Sequence, residues 1–193
     1  MSDEIYARRD TKAPHPDGPY PAVCVDVIDL GESVDNYQGT ISILPKVAIV
    51  FQTATEDPDN GKPLDIHIEV TLSFGRKAKL RKLLESWRGK PYSDAEAMAG
   101  VPLHKLEKQN GIVNVIHKTS AVSGNTYAVI DSIMPPMKGQ ARVEPIGYVR
   151  AEFWAKKKQQ YADAVAAHRK QQGNDDEREL AASPLGFDND LPF

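Results

Sequence analysis

LDIHIEVTLSFGRKAKLRKLLESWRGK, residues 64–90, changes its hydrophobic period half-way along, and this change decides the predicted fold. From Leu64 to Phe74 apolar and polar side chains alternate, which predicts a strand with one face on a core and the other in water. The second half has apolar side chains at i, i+3, i+4 and i+7, namely Leu80, Leu83, Leu84 and Trp87. That spacing predicts an amphipathic helix, and Gly89 is placed to end it.

Four further segments are typical of strands, two before this stretch and two after it: residues 20–30, 40–55, 112–119 and 126–134. Asn60-Gly61 predicts a hairpin turn, whereas residues 31–39, GESVDNYQG, predict a polar loop between the first two strands. Ser93 with Glu96 matches a capping box, which predicts a short second helix. The order β-β-β-α-β-β predicts a mainly β protein built on a five-stranded OB-fold barrel, with a helix between strands 3 and 4.

By composition the chain divides into four segments: a flexible N-terminal arm (1–18), the barrel domain (19–140), a C-terminal helix (141–172) and a flexible acidic tail (173–193). In the predicted C-terminal helix, Trp154, Tyr161 and Val165 lie on roughly one side. Residues 174–193 carry a net charge of -5, although the whole chain carries only -3. This asymmetry predicts an interaction tail on a mildly basic body.

The residues that could carry catalysis do not form a recognisable site. The five histidines are scattered without metal-ligand spacing: His15, His67, His104, His117 and His168. The turn that begins at Asp57 resembles a calcium loop, but Ile68 lies where such a loop needs a glutamate. The sequence therefore predicts a non-enzymatic protein that needs no metal and no cofactor.

Cysteine content and hydropathy bear on the compartment. The chain has one cysteine, Cys24, which we expect to be a buried apolar side chain. A single cysteine cannot form an internal disulfide, which favours a reducing compartment. No apolar stretch approaches membrane-spanning length. We therefore expect a cytoplasmic protein that does not bind membranes, located in the host cytoplasm if a phage encodes it.

A basic stretch is the strongest functional signal. Residues 76–90 carry seven bases and one acid, a net charge of +6, which predicts attraction of phosphates and salt-sensitive binding. Stacking of unpaired bases also needs exposed aromatic faces. We expect Phe51, Phe74 and Trp87 in the core, but three tyrosines outside the apolar stripes remain candidates. The predicted DNA-binding residues are Tyr37, Lys46, Arg76, Lys77, Lys79, Arg81, Lys82, Arg88, Lys90, Tyr92, Lys118 and Tyr127.

Three stretches within residues 20–139 resemble phage-type single-stranded DNA-binding proteins. YPAVCVDVIDLGE is similar to the opening strand of that family, and NVIHKTSAVSGNTYAVIDSIMPPMKG to its closing hairpin. TLSFGRKAKLRKLLESWRGKPYSDAEA resembles its most recognisable segment, a strand followed by a helix and WRGK. The resemblance implies an OB-fold that coats single-stranded DNA during replication, recombination or repair.

The C-terminus carries a separate resemblance, to the acidic tip of bacterial single-stranded DNA-binding proteins. That tip ends in Asp, an apolar residue, Pro and Phe, and in that family it docks on replication and repair proteins and can compete with DNA. The corresponding predicted partner-binding residues are Phe187, Asp188, Asp190, Leu191, Pro192 and Phe193. Asn189 departs from the pattern, because it interrupts the acidic run.

The leading hypothesis from the sequence is a protein that binds single-stranded DNA without sequence preference and recruits replication or recombination proteins through its tip. The alternative is a protein-interaction adaptor of a replication or recombination complex, with incidental DNA contact. A nuclease is a third hypothesis, against which the lack of a metal-ligand cluster argues. Assembly into a homo-oligomer, and the preference among single-stranded DNA, duplex DNA and RNA, stay open.

Overall fold

The computed structural model describes residues 14–182 and the side chains of residues 14–173, and it shows a mainly β chain. The five strands are β1 Gly18–Tyr37, β2 Thr40–Glu56, β3 Pro63–Thr71, β4 Asn110–Thr119 and β5 Thr126–Met134. The helices are α1 Lys79–Arg88, α2 Asp94–Ala99 and α3 Phe153–Ala182, with a 3-10 turn at Leu103–Leu106. The predicted number and order of the strands are confirmed, as is the position of α1 between β3 and β4.

The strands form one antiparallel sheet in the order β3-β2-β1-β4-β5. In β1 and β4, Gly18 pairs with Val115 and Val23 with Asn110. The β4–β5 pairing shifts by one residue beside Asn114, which is the signature of a bulge. Because β3 and β5 end the hydrogen-bonded order, the sheet is not closed, and the predicted OB barrel stays a prediction.

The core lies between the inner face of the sheet and α1. Ile66, Ile68 and Val70 of β3 are buried, as the alternation predicted, and so is the apolar stripe of α1. Phe51 packs on Trp87 with ring centroids 5.1 Å apart, which confirms both as core residues. The predicted third strand was too long, however: it ends at Thr71 because the chain bends there, and Leu72 is exposed.

The prediction that the single cysteine, Cys24, is a buried apolar side chain is confirmed. Its side chain is fully buried in the core cluster. Burial raises the pKa of the thiol to about 12, so it stays protonated at neutral pH. A protonated, inaccessible thiol does not act as a nucleophile.

Two compact units share these elements. The first comprises residues 14–28 and Val47–Arg150 and holds the core. The second comprises Asp29–Lys46, a hairpin of β1 and β2, together with residues 151–182, which include α3.

The hairpin corrects the prediction of a polar loop at residues 31–39. β1 continues to Tyr37, and only Gln38 and Gly39 form the turn, with φ of 52° and 85°. Positive φ at both central residues is the requirement of the tight turns that match strand twist. Polar residues predicted a loop here because an exposed two-stranded ribbon has the same composition as a loop.

Helix α3 packs on this hairpin within the second unit. Lys158 Nζ lies 3.0 Å from Asp29 Oδ2, and Arg169 Nη2 lies 2.8 Å from Glu32 Oε2. Eleven residues are three helical turns, so both cations lie on one face of α3. Trp154 and Val165 lie on the same side, as predicted, and both are buried, while Tyr161 is half-buried.

The helix bounds differ from the predicted ones, which place the helix at residues 150–172 of the C-terminal segment 141–172. α3 begins only at Phe153, and it continues through Gly173 to Ala182, a stretch assigned to the flexible tail. The residues after Gly173 include Glu, Arg, Leu and Ala, which are strong helix formers. Their propensity outweighs the cost of one helical glycine, about 1 kcal/mol.

Residues 141–150, here called the strap, form neither helix nor strand, in agreement with the loop predicted before the helix. The side-chain amide of Asn110 donates to the carbonyl of Val143 and accepts from its N–H. Gln52 holds the backbone of Ile146 in the same two ways. These amides mimic a neighbouring strand, and they satisfy backbone groups that a helix would otherwise satisfy internally.

The last residues of the predicted N-terminal arm are anchored to the first unit. The ring of His15 is buried, and its Nε2 lies 2.9 Å from Thr53 Oγ1. His117 Nε2 hydrogen-bonds to the carbonyl oxygen of His15 at 2.8 Å. Burial lowers the pKa of His15, with a smaller contribution from His117. The remainder of the arm and the predicted tip lie outside the described residues.

Candidate nucleic-acid interface

The basic stretch folds as α1 and its flanks, and its N-terminal part meets the segment that follows the helix. α1 ends where Gly89 adopts φ of 73° and its N–H donates to the carbonyl of Ser86. The chain then turns into α2, where the predicted capping box is confirmed. Ser93 accepts from the N–H of Glu96, and the Glu96 carboxylate accepts from the N–H of Ser93.

Arg81 is a structural residue in this arrangement. It is only 8% exposed, and its Nε donates to Glu85 Oε1 at 2.9 Å. Its Nη2 donates to the carbonyl of Tyr92 at 2.8 Å, which ties α1 to the chain beyond it. The predicted DNA contact by Arg81 is therefore not available in this structure, because helical packing turned the side chain inward.

Two further arginines of the stretch are paired with acids of α2. Arg76 Nη2 lies 2.8 Å from Asp94 Oδ2, and Arg88 Nη2 lies 2.6 Å from Glu96 Oε1. The hydrogen bond from Arg88 lowers the pKa of Glu96 to about 2, with smaller contributions from Ser93. Including Asp94 and Glu96, residues 76–96 carry a net charge of +4, less than the predicted +6 of residues 76–90.

The four lysines of the stretch are the cations that remain available. Lys77, Lys79, Lys82 and Lys90 are exposed, and none forms an ion pair with another described residue. We call these four residues the α1 lysines. Because no acid within residues 14–173 neutralises them, their positive potential reaches solvent and can attract phosphates.

Lys118 and Tyr127 lie directly opposite each other on β4 and β5. Both are exposed, the tyrosine to 46%. Directly paired residues on antiparallel strands have neighbouring side chains on one face. The structure thus joins two residues that the sequence proposed separately, a cation for a phosphate and a ring for a base.

The other predicted aromatic residues are placed differently. Tyr92 is half-buried, stands edge-on to Phe74 and is covered by Arg88, whose Cζ lies 4.4 Å from the ring centroid. Tyr92 therefore offers little free ring surface. Tyr37 is 74% exposed at the end of β1, and Lys46 lies 3.7 Å from Asp35; these residues belong to the second unit.

A cavity beside α1 was not predicted from the sequence. It has a volume of about 550 Å³ and lies between the C-terminal half of α1 and residues 135–142. Arg142 and Gln140 line it, although no sequence pattern singled them out. Pro135-Pro136 predicted the end of β5, but the cavity depends on where the chain goes afterwards, which local pattern does not encode.

Comparisons of the sequence with known proteins name no family for this chain. No protein-family model and no curated protein matches the chain, so the family resemblance stays a prediction.

Within residues 14–173 no three histidine, cysteine or acidic side chains are grouped so that they could hold a metal ion. None of the described helices is long and apolar enough to cross a membrane.

Proposed function

We propose that this protein binds single-stranded DNA without sequence preference during replication, recombination or repair, and that it acts without catalysis. The observation that carries the proposal is the exposure of the α1 lysines without acidic partners in the part of the chain whose side chains the structure describes. Each lysine that contacts a phosphate releases condensed counterions, which makes binding favourable and salt-dependent whatever the sequence.

The Lys118–Tyr127 pair supports single strands as the ligand over duplex DNA. In a duplex the bases are stacked on each other, whereas an unpaired base can stack on an exposed tyrosine. A neighbouring lysine suits the phosphate of the same nucleotide. Stacking on a ring tolerates every base, in keeping with binding that lacks sequence preference.

Charge reversal of two α1 lysines tests the proposal. We expect Lys79→Glu with Lys82→Glu to weaken oligo-dT binding and to reduce the slope of log affinity against log salt by about 1.4, at about 0.7 per phosphate contact on single strands. Fluorescence anisotropy of labelled oligo-dT over a salt series measures both quantities. The matched control is Lys62→Glu with Lys105→Glu, which changes the net charge equally at two exposed lysines elsewhere.

Equal losses in the two double variants would show a general charge effect and contradict an interface at α1. Unchanged oligo-dT binding by the α1 variant, with loss of binding to a replication or recombination protein, would instead support the adaptor hypothesis. Equal affinity of the wild-type protein for duplex DNA would contradict the proposed preference for single strands.

The tip at residues 187–193 is proposed to recruit replication or recombination proteins. Its acids favour basic pockets, and Leu191, Pro192 and Phe193 provide an apolar anchor. Deleting residues 187–193 removes negative charge, so we expect oligo-dT affinity at low salt to stay equal or rise. Anisotropy with the truncated and full-length chains measures this, and weaker DNA binding after truncation would contradict the proposed role.

A further inference from the structure

The cavity beside α1 is held open by specific contacts. Trp87 lies at its floor, and its Nε1 donates to the carbonyl of Asn110 at 2.9 Å. The side chain of Asn110 in turn holds Val143 of the strap. At the other end, a Cβ on Gly89 would lie 3.0 Å from Pro135 Cγ, so the end of α1 and the segment after β5 are in close contact.

The cavity combines an apolar floor with polar groups at its rim. Leu84 and Leu106 join Trp87 below. At the edge, Arg142 brings positive charge, whereas Arg88 is paired with Glu96. The side chain of Arg142 is 70% exposed and lies 4.0 Å from Glu144, at the limit of an ion pair. A phosphate could therefore engage Arg142 without first breaking a close contact.

Gln140 supplies an unused donor. Its Oε1 accepts from the N–H of Met137, but its Nε2 is buried with no hydrogen-bond partner among the described residues. A buried donor without a partner costs free energy, which a ligand acceptor would recover once the Gln140 side chain turns its amide into the cavity. Carbonyl oxygens and ring nitrogens on the edges of nucleobases are such acceptors.

We propose that this cavity receives one unpaired base of the bound strand, with the adjoining phosphates on Arg142 and Lys90. The volume lies within the range of sites for small organic ligands, about 300–1,000 Å³. Lys90 follows Gly89 directly, and the other three α1 lysines precede it in the same chain segment, within residues 77–82. Several cations in a row can each bind one phosphate of a polynucleotide. A peptide whose charge is confined to one end would leave most of these cations without a partner. This inference rests on the proposed DNA binding.

Filling the cavity from exposed positions tests the inference. We expect Ala141→Trp to lower the affinity for oligo-dT about tenfold, the order of magnitude of one stacked base. Its affinity for an abasic oligonucleotide of equal length should be unchanged, because the phosphate contacts remain. Met137→Trp fills the cavity from a second position and should act alike. The matched controls are Ala121→Trp and Met98→Trp, at exposed residues that do not line the cavity, and urea unfolding verifies that each variant folds.

The outcomes separate the cavity from DNA binding as such. If both cavity variants bind oligo-dT as their controls do, no base enters the cavity, while the α1 proposal still stands on its charge-reversal test. If the wild-type protein binds neither oligonucleotide, the proposed function itself fails. If a peptide of residues 187–193 binds the wild-type chain but not Ala141→Trp, and oligo-dT binding is equal in both, the occupant is an acidic peptide and the inference is overturned.

Discussion

Replacing Gly111 with alanine is expected to lower the free energy of unfolding by about 3 kcal/mol, at the upper end for an overpacked core. Gly111 lies in β4 beside the cavity floor, and an added Cβ would lie 2.6 Å from Trp87 Nε1 and 3.1 Å from the carbonyl oxygen of Met134. The indole cannot move away freely, because it is hydrogen-bonded to Asn110 and packed on Phe51. Backbone or core must therefore shift to admit one methyl group.

Urea unfolding measures this effect as a lower midpoint with an unchanged slope. The matched control is Gly75→Ala, because a Cβ added at Gly75 would have no heavy atom within 4 Å and the residue has no positive φ. We expect that control to stay within about 0.5 kcal/mol of the wild type. Trp87→Phe removes the clashing nitrogen. The double variant should therefore lose less free energy of unfolding than the sum of the losses in the two single variants. Equal midpoints for the two alanine variants would contradict the close approach.

Local patterns predicted the parts of this fold that depend on neighbours in sequence. The alternation around Ile68 predicted β3, and the spacing of Leu84 and Trp87 predicted the buried face of α1. The pair Ser93 and Glu96 predicted the start of α2, because a capping box is complete within four residues. In each case the interaction that stabilises the element lies inside the quoted segment.

Contacts between distant residues explain what sequence patterns did not predict. The strap depends on Gln52, which lies 94 residues before its partner Ile146. The net charge of the basic stretch is reduced by Asp94, which lies 18 residues after Arg76 in the sequence and forms an ion pair with it. A side chain that satisfies a backbone group so far away leaves no periodic pattern near either partner. The sequence therefore predicted which kinds of residue make up the candidate interface. It did not distinguish the cations that are paired with acids from those that are not.

Replacing Asp26 with asparagine is expected to destabilise the protein by about 2 kcal/mol at neutral pH, the range for hydrogen bonds to a charged group. Asp26 is 5% exposed, and its two oxygens accept from Arg150 at 2.7 and 2.6 Å and from the hydroxyl of Tyr148 at 2.9 Å. It thereby anchors the end of the strap. The loss stays moderate because Arg150 is more than half exposed and can be solvated by water, and because Asn110 and Gln52 still hold the strap.

The stabilisation by Asp26 depends on pH, because its carboxylate must be ionised to accept these hydrogen bonds. Burial would raise the pKa of Asp26, but hydrogen bonds from Arg150 and Tyr148 outweigh burial and hold the pKa below the ordinary 3.8. The unfolded chain then binds the proton more tightly, so the stabilisation is complete above pH 3.8 and is lost as pH falls through the folded pKa. The stability difference between the wild type and Asp26→Asn should therefore shrink below that pH.

Urea unfolding of both chains between pH 7 and about pH 3 measures this convergence. The control is Asp29→Asn, since Asp29 also accepts from a cation, Lys158, but its side chain is 72% exposed. An exposed pair contributes little, so we expect a loss below about 1 kcal/mol at pH 7. Equal losses for the two variants at pH 7 would mean that burial of Asp26 adds nothing to its interaction with the strap. A difference that persists unchanged to the lowest pH would show that the hydrogen-bonding shape of the side chain, rather than its charge, anchors Arg150.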